Sequence, residues 1–298
     1  MICGDWGESK NVWILETKHP WARNRNLCTV ESVARQMSDY CTRLLTWNYV
    51  PSNPQNYLGK RLEDEFGNVR LSGLPVESIL ESTPFIDFLN KTFENNTARH
   101  HHSFVHLSDA LRLALVYKFG GIYIDSDIWA MKQIDLAPKY LARASGGMIS
   151  NAVIKSEKPG SQILMKIMEE GNKAYDIHNY AVLMQQLCVK MAWYFKSKNH
   201  TIQLVDTRIG LIEDSGDWKI FGFKSGGLCS SYGKNQLKSP EEAEKKFEKL
   251  MAENCSMFHY MQSYLGQTQE YKPDDKSNLA VLVMAKTCPF TLSNADFV

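Results

Sequence analysis

The sequence predicts an α/β fold in which helices pack against a layered sheet. Two observations support this prediction. The chain opens with a β-α-β pattern, and its clearest helix, residues 107–119, ends at two glycines and leads directly into an apolar strand. A chain of 298 residues with 44% hydrophobic side chains can also bury the large core that such a fold needs.

The β-α-β opening lies at the start of the chain. Residues 12–16, VWILE, are mostly apolar and predict a buried strand. A polar loop is expected over residues 18–26, and then a helix over residues 29–37, whose apolar residues recur with the helical period. Residues 44–49, LLTWNY, predict the returning strand. This order of elements is typical of an α/β sheet.

The middle of the chain leads to a closely spaced pair of acids. A helix is expected between residues 76 and 93, interrupted or restarted at Pro84. The helix over residues 107–119 carries a stripe of leucine and alanine, and the two glycines after it provide a stop signal. Residues 122–124 then predict a strand that ends at two aspartates.

The second half of the chain adds a strand and several helices. Residues 147–155 predict the strand, and Ser161 is a candidate N-cap for the next helix. Another helix is expected over residues 178–195, and SPEE at residues 239–242 forms a capping box with proline at the first helical position. No internal repeat or low-complexity segment is present, so residues 1–298 are expected to form one domain.

Composition limits the compartments and partners that the chain can have. With 34 Lys+Arg and 33 Asp+Glu, the net charge is +1, and no block of like charges suggests a nucleic-acid partner. The longest apolar run, residues 279–285, is far shorter than the roughly 18 residues of a membrane span. The N-terminus lacks the basic and apolar regions of a signal peptide. The protein is therefore expected to be cytosolic or to have a leader outside this chain.

Cysteines and glycosylation signals favour a secretory compartment. The seven cysteines include no CxxC pair, which argues against a zinc site and permits disulfides. Acceptor motifs for N-glycosylation are more frequent than chance placement would give. They lie at Asn90, Asn95, Asn199 and Asn254.

The acids Asp125 and Asp127 lie at the end of FGGIYIDSDIW, residues 119–129. Residues two apart on a strand share a face, so both carboxylates can point together past the strand end. Two unpaired carboxylates repel unless a cation lies between them, and hard divalent cations prefer oxygen ligands. The pair therefore predicts a metal that presents a diphosphate to the protein. A solvated turn is the alternative interpretation.

Asp109 and Arg112 lie three residues apart on the preceding helix and share one of its sides. They form either an ion pair on the helix surface or part of a site for a diphosphate and its metal.

A resemblance to a known family decides between these interpretations. Residues 107–134, LSDALRLALVYKFGGIYIDSDIWAMKQI, resemble the signature of the DXD-containing glycosyltransferases, in particular the group that includes lactosylceramide α1,4-galactosyltransferase and α1,4-N-acetylglucosaminyltransferase. The run is specific because it fixes many positions at once. Further segments similar to the family follow in order at residues 14–17, 28–32, 82–84, 151–153, 216–219, 258–260 and 288–289.

The resemblance implies a fold and a reaction. The fold is a single GT-A type domain, Rossmann-like, with a mixed central sheet flanked by helices. Residues from about 10 to 135 would form the donor-nucleotide half and residues from about 136 to 290 the acceptor half. The reaction is a metal-dependent transfer from a UDP-sugar that retains anomeric configuration and gives an α1,4-type linkage, with Mn²⁺ or Mg²⁺ as the metal.

The resemblance also implies roles for particular residues. Asp125, Asp127 and His259 would hold the metal. The implied catalytic residues are Asp125, Asp127 and Arg112, with Asp217 as an alternative nucleophile or acceptor contact. The implied donor-binding residues are Leu15, Glu16, Thr17, Asp109, Arg112, Tyr123, Asp125, Ser126, Asp127 and Asn151. A front-face mechanism is favoured because no carboxylate pair of the kind that retaining glycosidases use can be assigned.

The expected partners follow from the same resemblance. The donor would be UDP-galactose, UDP-N-acetylgalactosamine or UDP-N-acetylglucosamine, and residues 178–181, HNYA, leave the sugar open because they depart from the family pattern. The acceptor would be a glycosphingolipid or another glycan. The expected location is the Golgi lumen, with membrane association through an N-terminal anchor outside this chain.

Two alternative functions remain at this point. A catalytically silent binder of UDP-sugars or glycans on the same fold would retain the same binding residues. A metal-dependent phosphatase with a DxDx[TV] motif is less compatible, because Ile128 and Trp129 occupy the fourth and fifth positions.

Overall fold

The computed structural model describes most of the first half of the chain and separate segments of the second half. It describes residues 3–7, 10–19, 23–47, 49–87, 103–133, 139–143, 149–173, 175, 209–211, 218–221, 228–230, 237–252, 256–259 and 272–295. The helix predicted over residues 178–195 and the asparagines of the four glycosylation motifs lie outside these residues.

The described strands form two sheets. The large sheet has eight strands, in the order β3-β2-β1-β4-β7-β6-β9-β8, and the small sheet has three, in the order β10-β11-β5. The strands are β1 (Asn11–Glu16), β2 (Cys41–Thr46), β3 (Val69–Gly73), β4 (Gly121–Ile124), β5 (Ile128–Ala130), β6 (Lys139–Arg143), β7 (Ile149–Ser156), β8 (Ile209–Leu211), β9 (Trp218–Phe221), β10 (Leu228–Ser230) and β11 (Met257–His259).

The helices of the described residues vary widely in length. They are α1 (Asn24–Gln36), α2 (Tyr57–Glu65), α3 (Val76–Leu80), α4 (Ser103–Phe119), α5 (Gln162–Lys173), α6 (Pro240–Ala252), α7 (Leu279–Thr287) and α8 (Pro289–Asn294), and a 3₁₀ turn spans Pro54–Asn56. Among these helices, none combines the length and the apolar character needed to span a bilayer.

The large sheet is mixed, as predicted. Strands β3, β2, β1 and β4 are parallel neighbours, whereas β7 runs antiparallel to both β4 and β6. The carboxyl ends of β1, β2 and β4 therefore meet at one edge of the sheet, which is the edge where ligands bind in open α/β sheets.

Helices cover both faces of the parallel part, because side chains along β1 alternate between the two faces. Trp13 and Leu15 pack in the core cluster that contains α4. Ile14 packs with residues of α1 and α2 on the other face. These contacts confirm the α/β class, with a mixed central sheet flanked by helices.

Several element boundaries differ from the prediction. The helix expected between residues 76 and 93 is present as α3, which ends at Leu80 and is followed by turns as far as residue 87. Helix α4 begins at Ser103, four residues before the predicted start.

Helix α1 begins at Asn24, inside the predicted polar loop, and the buried Asn26 amide in its first turn donates to the Glu16 carboxylate at 2.5 Å. Strand β2 occupies Cys41–Thr46 rather than residues 44–49. Its polar first residues pair with β1 in parallel register, and the Arg43 Nε donates to Asn11 Oδ1 at 2.8 Å.

Disulfides connect segments that are distant in sequence, a possibility that the cysteine count left open. Cys3 pairs with Cys41, and Cys28 pairs with Cys288 across 260 residues. The second bond joins α1 to the residue that precedes α8. Beside it, the buried Glu31 carboxylate accepts the backbone N–H groups of Phe290 at 3.0 Å and Thr291 at 2.6 Å. The C-terminal helix is thus attached to α1 covalently and by a carboxylate cap.

The two glycines between α4 and β4 permit a close approach to β1. Gly120 and Gly121 have φ values of 67° and 89°. The Gly120 carbonyl accepts the Trp13 indole N–H at 2.8 Å. A Cβ atom at Gly121 would lie 2.5 Å from the carbonyl oxygen of Asn11. The turn between α4 and β4 therefore requires glycine at position 121.

We expect Gly121→Ala to destabilise the protein strongly, because it adds a backbone clash to the cost of a positive φ, which alone is roughly 1 to 2 kcal/mol. Gly160→Ala is the matched control: its φ is 77° but a Cβ there meets nothing within 4 Å, so it should show only the conformational cost. Gly67→Ala should stay within about 0.5 kcal/mol of wild type. Urea unfolding measures all three, and equal losses for Gly121→Ala and Gly160→Ala would contradict the clash.

Candidate functional site

Asp125 and Asp127 lie in a tight turn that connects the two sheets; residues 125–127 are called the acid turn below. Strand β4 ends at Ile124 and β5 begins at Ile128, whose N–H donates to the Asp125 carbonyl at 3.0 Å. The Asp125 N–H donates to the Ala152 carbonyl of β7 at 2.8 Å. The acids follow a strand at the carboxyl edge of the sheet, as predicted. The alternative of a solvated turn fails for Asp125, whose side chain is only 21% exposed and is held in an ion pair.

Arg112 connects the acid pair to helix α4. Its Nη1 lies 2.8 Å from Asp125 Oδ1, and its Nη2 lies 3.1 Å from Asp109 Oδ1. Asp109 and Arg112 are 7% and 6% exposed, so the interpretation as a surface ion pair is wrong. Arg112 also donates to the Ser108 hydroxyl at 2.9 Å and to the Asn151 carbonyl at 3.2 Å. The guanidinium therefore holds carboxylates from two different elements in fixed positions.

Tyr123, on strand β4, also holds the Asp125 side chain in place. Its hydroxyl donates to Asp125 Oδ1 at 2.6 Å, and its ring lies under the Arg112 guanidinium, 4.7 Å from the centroid. Burial raises the pKa of Tyr123 well above its ordinary value, although Arg112 opposes this shift. The hydroxyl therefore stays protonated and acts as a donor.

Among the described side chains around Arg112, negative charges outnumber positive ones. Burial raises the pKa of Asp109 to about 6; Arg112 opposes this shift, Asp125 adds to it, and an N–H from the Asn151 amide, 2.6 Å away, opposes it. Burial acts to lower the pKa of Arg112, but Asp125, Tyr123, Asp109 and Asp127 raise it above its ordinary value. The guanidinium is permanently charged and lies among three carboxylates, so the cluster favours a further cation.

The residues at the end of β1 lie at the same edge of the sheet. Leu15 is packed in the core, and the Thr17 hydroxyl donates to the Phe104 carbonyl of α4 at 3.0 Å. The buried Glu16 carboxylate accepts the N–H groups of Lys18 at 2.9 Å and His19 at 3.2 Å. It also accepts an N–H from the Asn26 amide at 2.5 Å. In this structure Glu16 thus fixes the loop that leads into α1.

The third predicted metal ligand lies next to the acid turn in the backbone. Strand β11 runs antiparallel to β5, and His259 is opposite Ile128, the residue after Asp127. The backbone therefore brings all three predicted ligand positions together, although no group of three His, Cys, Asp or Glu side chains is arranged for a metal among the side chains that the structure describes. Asp217 lies outside the described residues.

The oxygen donors that are described fit a hard divalent cation. Aspartate carboxylates are the ligands that Mg²⁺ and Mn²⁺ prefer, and two carboxylates leave coordination positions for phosphate oxygens. The surplus of negative charge among the described residues around Arg112 also favours a bound cation.

One contact with the acid turn was not predicted. The Thr29 hydroxyl of α1 donates to the Ser126 carbonyl at 2.7 Å. The periodicity of α1 identified its apolar face, but gave no sign that its polar side chains are buried as well. The signal available in the sequence was the helical spacing of the polar residues, which places them on one side of α1 and indicates buried polar partners for that side.

Comparison with known proteins identifies the segment that holds the turn. Residues 23–143 match the family model described as "Glycosyltransferase sugar-binding region containing DXD motif". This segment is therefore similar to the DXD-containing region of glycosyltransferases. It contains α1, α4, the acid turn and Arg112. Strands β7 and β11 follow it in the chain.

Curated relatives carry compatible names. The chain is 30% identical over 155 residues to lactosylceramide 4-alpha-galactosyltransferase of Mus musculus, covering 50% of this chain and 41% of the relative. It is 28% identical over 131 residues to alpha-1,4-N-acetylglucosaminyltransferase of Homo sapiens, covering 42% of this chain and 37% of the relative. The chain thus matches less than half the length of these relatives.

Two solved structures show limited similarity to this chain. PaToxG glycosyltransferase has a TM-score of 0.46 at 20% identity, covering 63% of this chain and 72% of that one. The galactosyltransferase LgtC, in complex with donor and acceptor sugar analogs, has a TM-score of 0.40 at 12% identity, covering 95% of each chain.

We expect the buried Asp109 carboxyl to make metal-free stability depend on pH. Its folded pKa of about 6 lies above the ordinary value of 3.8. Its contribution is therefore fully present below about pH 3.8 and is lost as the pH rises through 6, by roughly 2 to 3 kcal/mol. Urea unfolding in EDTA between pH 4 and 7 should show this loss in wild type but not in Asp109→Asn.

Asp39→Asn is the control for the pH experiment, because Asp39 forms an exposed pair with Lys10. It should keep the wild-type pH profile. An Asp109→Asn profile parallel to that of wild type would show that Asp109 does not titrate in this window.

Proposed function

We propose that this chain is a metal-dependent, retaining α-glycosyltransferase with a single GT-A type domain. It would transfer galactose or an N-acetylhexosamine from a UDP-sugar to a glycolipid or glycan and form an α1,4-type linkage. The observation that carries the proposal is the acid turn, held at the carboxyl edge of the sheet by Arg112, inside the segment that matches the DXD region. The names of the two relatives support this choice of sugars and linkage.

The two halves of the domain would bind different substrates, the donor and the acceptor. Residues from about 10 to 135 would bind the donor nucleotide, because the parallel strands and the acid turn lie there. Residues from about 136 to 290 would contribute the acceptor side. The proposed donor-binding residues, which lie along this sheet edge and the adjoining strand β7, are Leu15, Glu16, Thr17, Asp109, Arg112, Tyr123, Asp125, Ser126, Asp127 and Asn151.

Asp125, Asp127 and His259 would hold the cation, Mn²⁺ or Mg²⁺. When bound, the cation would offset the charge of the donor diphosphate. The chain's own part is to hold Asp125 in place through Arg112 and Tyr123, at 2.8 Å and 2.6 Å from Oδ1. This fixed geometry needs no rearrangement when charge develops on the diphosphate.

Arg112 would stabilise the charge that develops as the sugar leaves the diphosphate. In a front-face reaction, the bond between the anomeric carbon and the diphosphate oxygen breaks while the acceptor hydroxyl oxygen attacks from the same side. The hydroxyl proton passes to the departing diphosphate oxygen, so no protein base is required. Asp217 remains the alternative nucleophile or acceptor contact.

The proposed location is the Golgi lumen, with a membrane anchor outside this chain. The Cys3–Cys41 and Cys28–Cys288 disulfides support a compartment outside the reducing cytosol.

We expect one UDP-sugar to bind in the presence of Mn²⁺ and to lose affinity in EDTA or in Asp127→Asn. Loss of even an indirect metal contact typically weakens a site by roughly 10-fold or more, so a direct ligand should cost at least that much. Calorimetry with UDP-galactose, UDP-N-acetylgalactosamine, UDP-N-acetylglucosamine and UDP-glucose measures the binding, and UDP release measures turnover.

Asp39→Asn, a surface aspartate outside the site, should bind the donor like wild type. Donor binding without hydrolysis or transfer to any glycan would favour the catalytically silent binder. If no donor binds under any condition, the proposal is wrong and the acid pair serves other chemistry, such as that of a phosphatase.

We expect His259→Ala to weaken Mn²⁺ binding in the presence of UDP by roughly 10-fold or more, because it removes one protein ligand. Electron paramagnetic resonance of free Mn²⁺ gives the affinity. Met257→Leu in the same strand is the control, since a volume-conserving change should leave β11 and the metal affinity intact. Unchanged affinity in His259→Ala would remove this residue from the metal site.

A further inference from the structure

Helix α1 presents a buried polar side to the acid turn and to the strand after it. Arg25, Thr29 and Ser32 follow one another at helical spacing and lie on one side of the helix. Each contributes a main-chain or side-chain oxygen to a hydrogen bond with residues 126–130. Buried polar groups on a helix usually have such partners, and here all three partners lie in one segment.

The Thr29 contact acts on the turn itself. Its hydroxyl donates to the Ser126 carbonyl at 2.7 Å, across 97 positions of sequence. This carbonyl belongs to the peptide unit that joins Ser126 to Asp127. Because that peptide is planar, fixing its oxygen fixes the backbone from which the Asp127 side chain extends.

The other two contacts hold the strand that leaves the turn. The Trp129 indole N–H donates to the Arg25 carbonyl at 3.4 Å, and the Ala130 N–H donates to the Ser32 hydroxyl at 3.0 Å. Helix α1 is itself anchored from its other side by the Cys28–Cys288 disulfide and by Glu31. A firmly held helix can therefore define the position of the turn.

We propose that Thr29 is a positioning residue for the acid turn: its hydroxyl holds the Ser126–Asp127 peptide where Asp127 can bind the cation and the donor diphosphate. The inference rests on the proposed function for its consequence, but the positioning itself can be measured without any ligand. Thr29 would touch neither the donor nor the metal.

The experiment compares Thr29→Val, which removes the hydroxyl at constant shape, with Thr29→Ser, which keeps it. Thr42→Val is the matched control, because the buried Thr42 hydroxyl, near the amino end of β2, has no hydrogen-bond partner among the described residues. Two quantities are measured: hydrogen exchange of a peptide covering residues 125–130 in ligand-free protein, and the affinity for UDP in saturating Mn²⁺. Urea unfolding checks that each variant is folded.

In Thr29→Val we expect exchange in this peptide to be roughly ten-fold faster and UDP affinity roughly ten-fold weaker, as follows from the loss of one buried hydrogen bond. Thr29→Ser and Thr42→Val should stay within about two-fold of wild type for both quantities. Wild-type exchange and affinity in Thr29→Val would overturn the inference. A Thr29→Ser protein as impaired as Thr29→Val would also overturn it, because the methyl group would then matter rather than the hydroxyl.

Failure of the proposed function gives a different result. If wild-type protein binds no UDP with Mn²⁺, the exchange comparison still decides whether Thr29 positions the turn. If Thr29→Val does not fold, Ser32→Ala takes its place: it removes the acceptor of the Ala130 N–H, and unchanged exchange in residues 125–130 would contradict the positioning role of α1.

Discussion

The ion bridge from Asp109 through Arg112 to Asp125 is the interaction on which the site depends. Both members on α4 are almost completely buried, and taking such charges out of water has a large cost. Buried ion pairs are often no more stabilising than apolar residues of the same volume, whereas removing one partner costs roughly 3 to 5 kcal/mol. Stability alone does not account for the bridge. Its specific effect is to fix the Asp125 carboxylate at the sheet edge against helix α4.

The acid turn is held from three directions, and each direction is a different part of the chain. Helix α4 supplies Arg112, strand β7 supplies the Ala152 carbonyl, and helix α1 supplies Thr29. Since α1 also carries Cys28 and Glu31, the C-terminal helix is connected to the site through one intervening helix. The described contacts therefore connect the C-terminal helix to the acid turn through α1.

The sequence predicted what local patterns can encode. The alternation along β1, the glycine stop after α4 and the acids at the strand end were all recognisable, because each depends on neighbouring residues. The burial of Asp109 and Arg112 was not recognisable from spacing, since surface and buried helical pairs have the same i, i+3 pattern. Thr29 and Ser126 are 97 residues apart, and Glu31 and Thr291 are 260 apart. Contacts over such distances leave no periodic signal and depend on how the whole chain packs.

On the proposed function, the charges of the described site residues would determine the order in which the cation and the donor bind. One guanidinium lies among three carboxylates, and Asp109 reduces this imbalance only when it takes up a proton, with a pKa of about 6. On the proposed function, a diphosphate alone at neutral pH would meet a surplus of negative charge among the described residues, so they would repel the anionic donor that the position at the sheet edge would otherwise suit. A cation held by Asp125 and Asp127 would remove this conflict. The positive charge of Arg112, which Asp109 holds in place, would then be available to stabilise the phosphate. On the proposed function, the same excess of acid that makes the cluster costly to bury would make donor binding conditional on a cation.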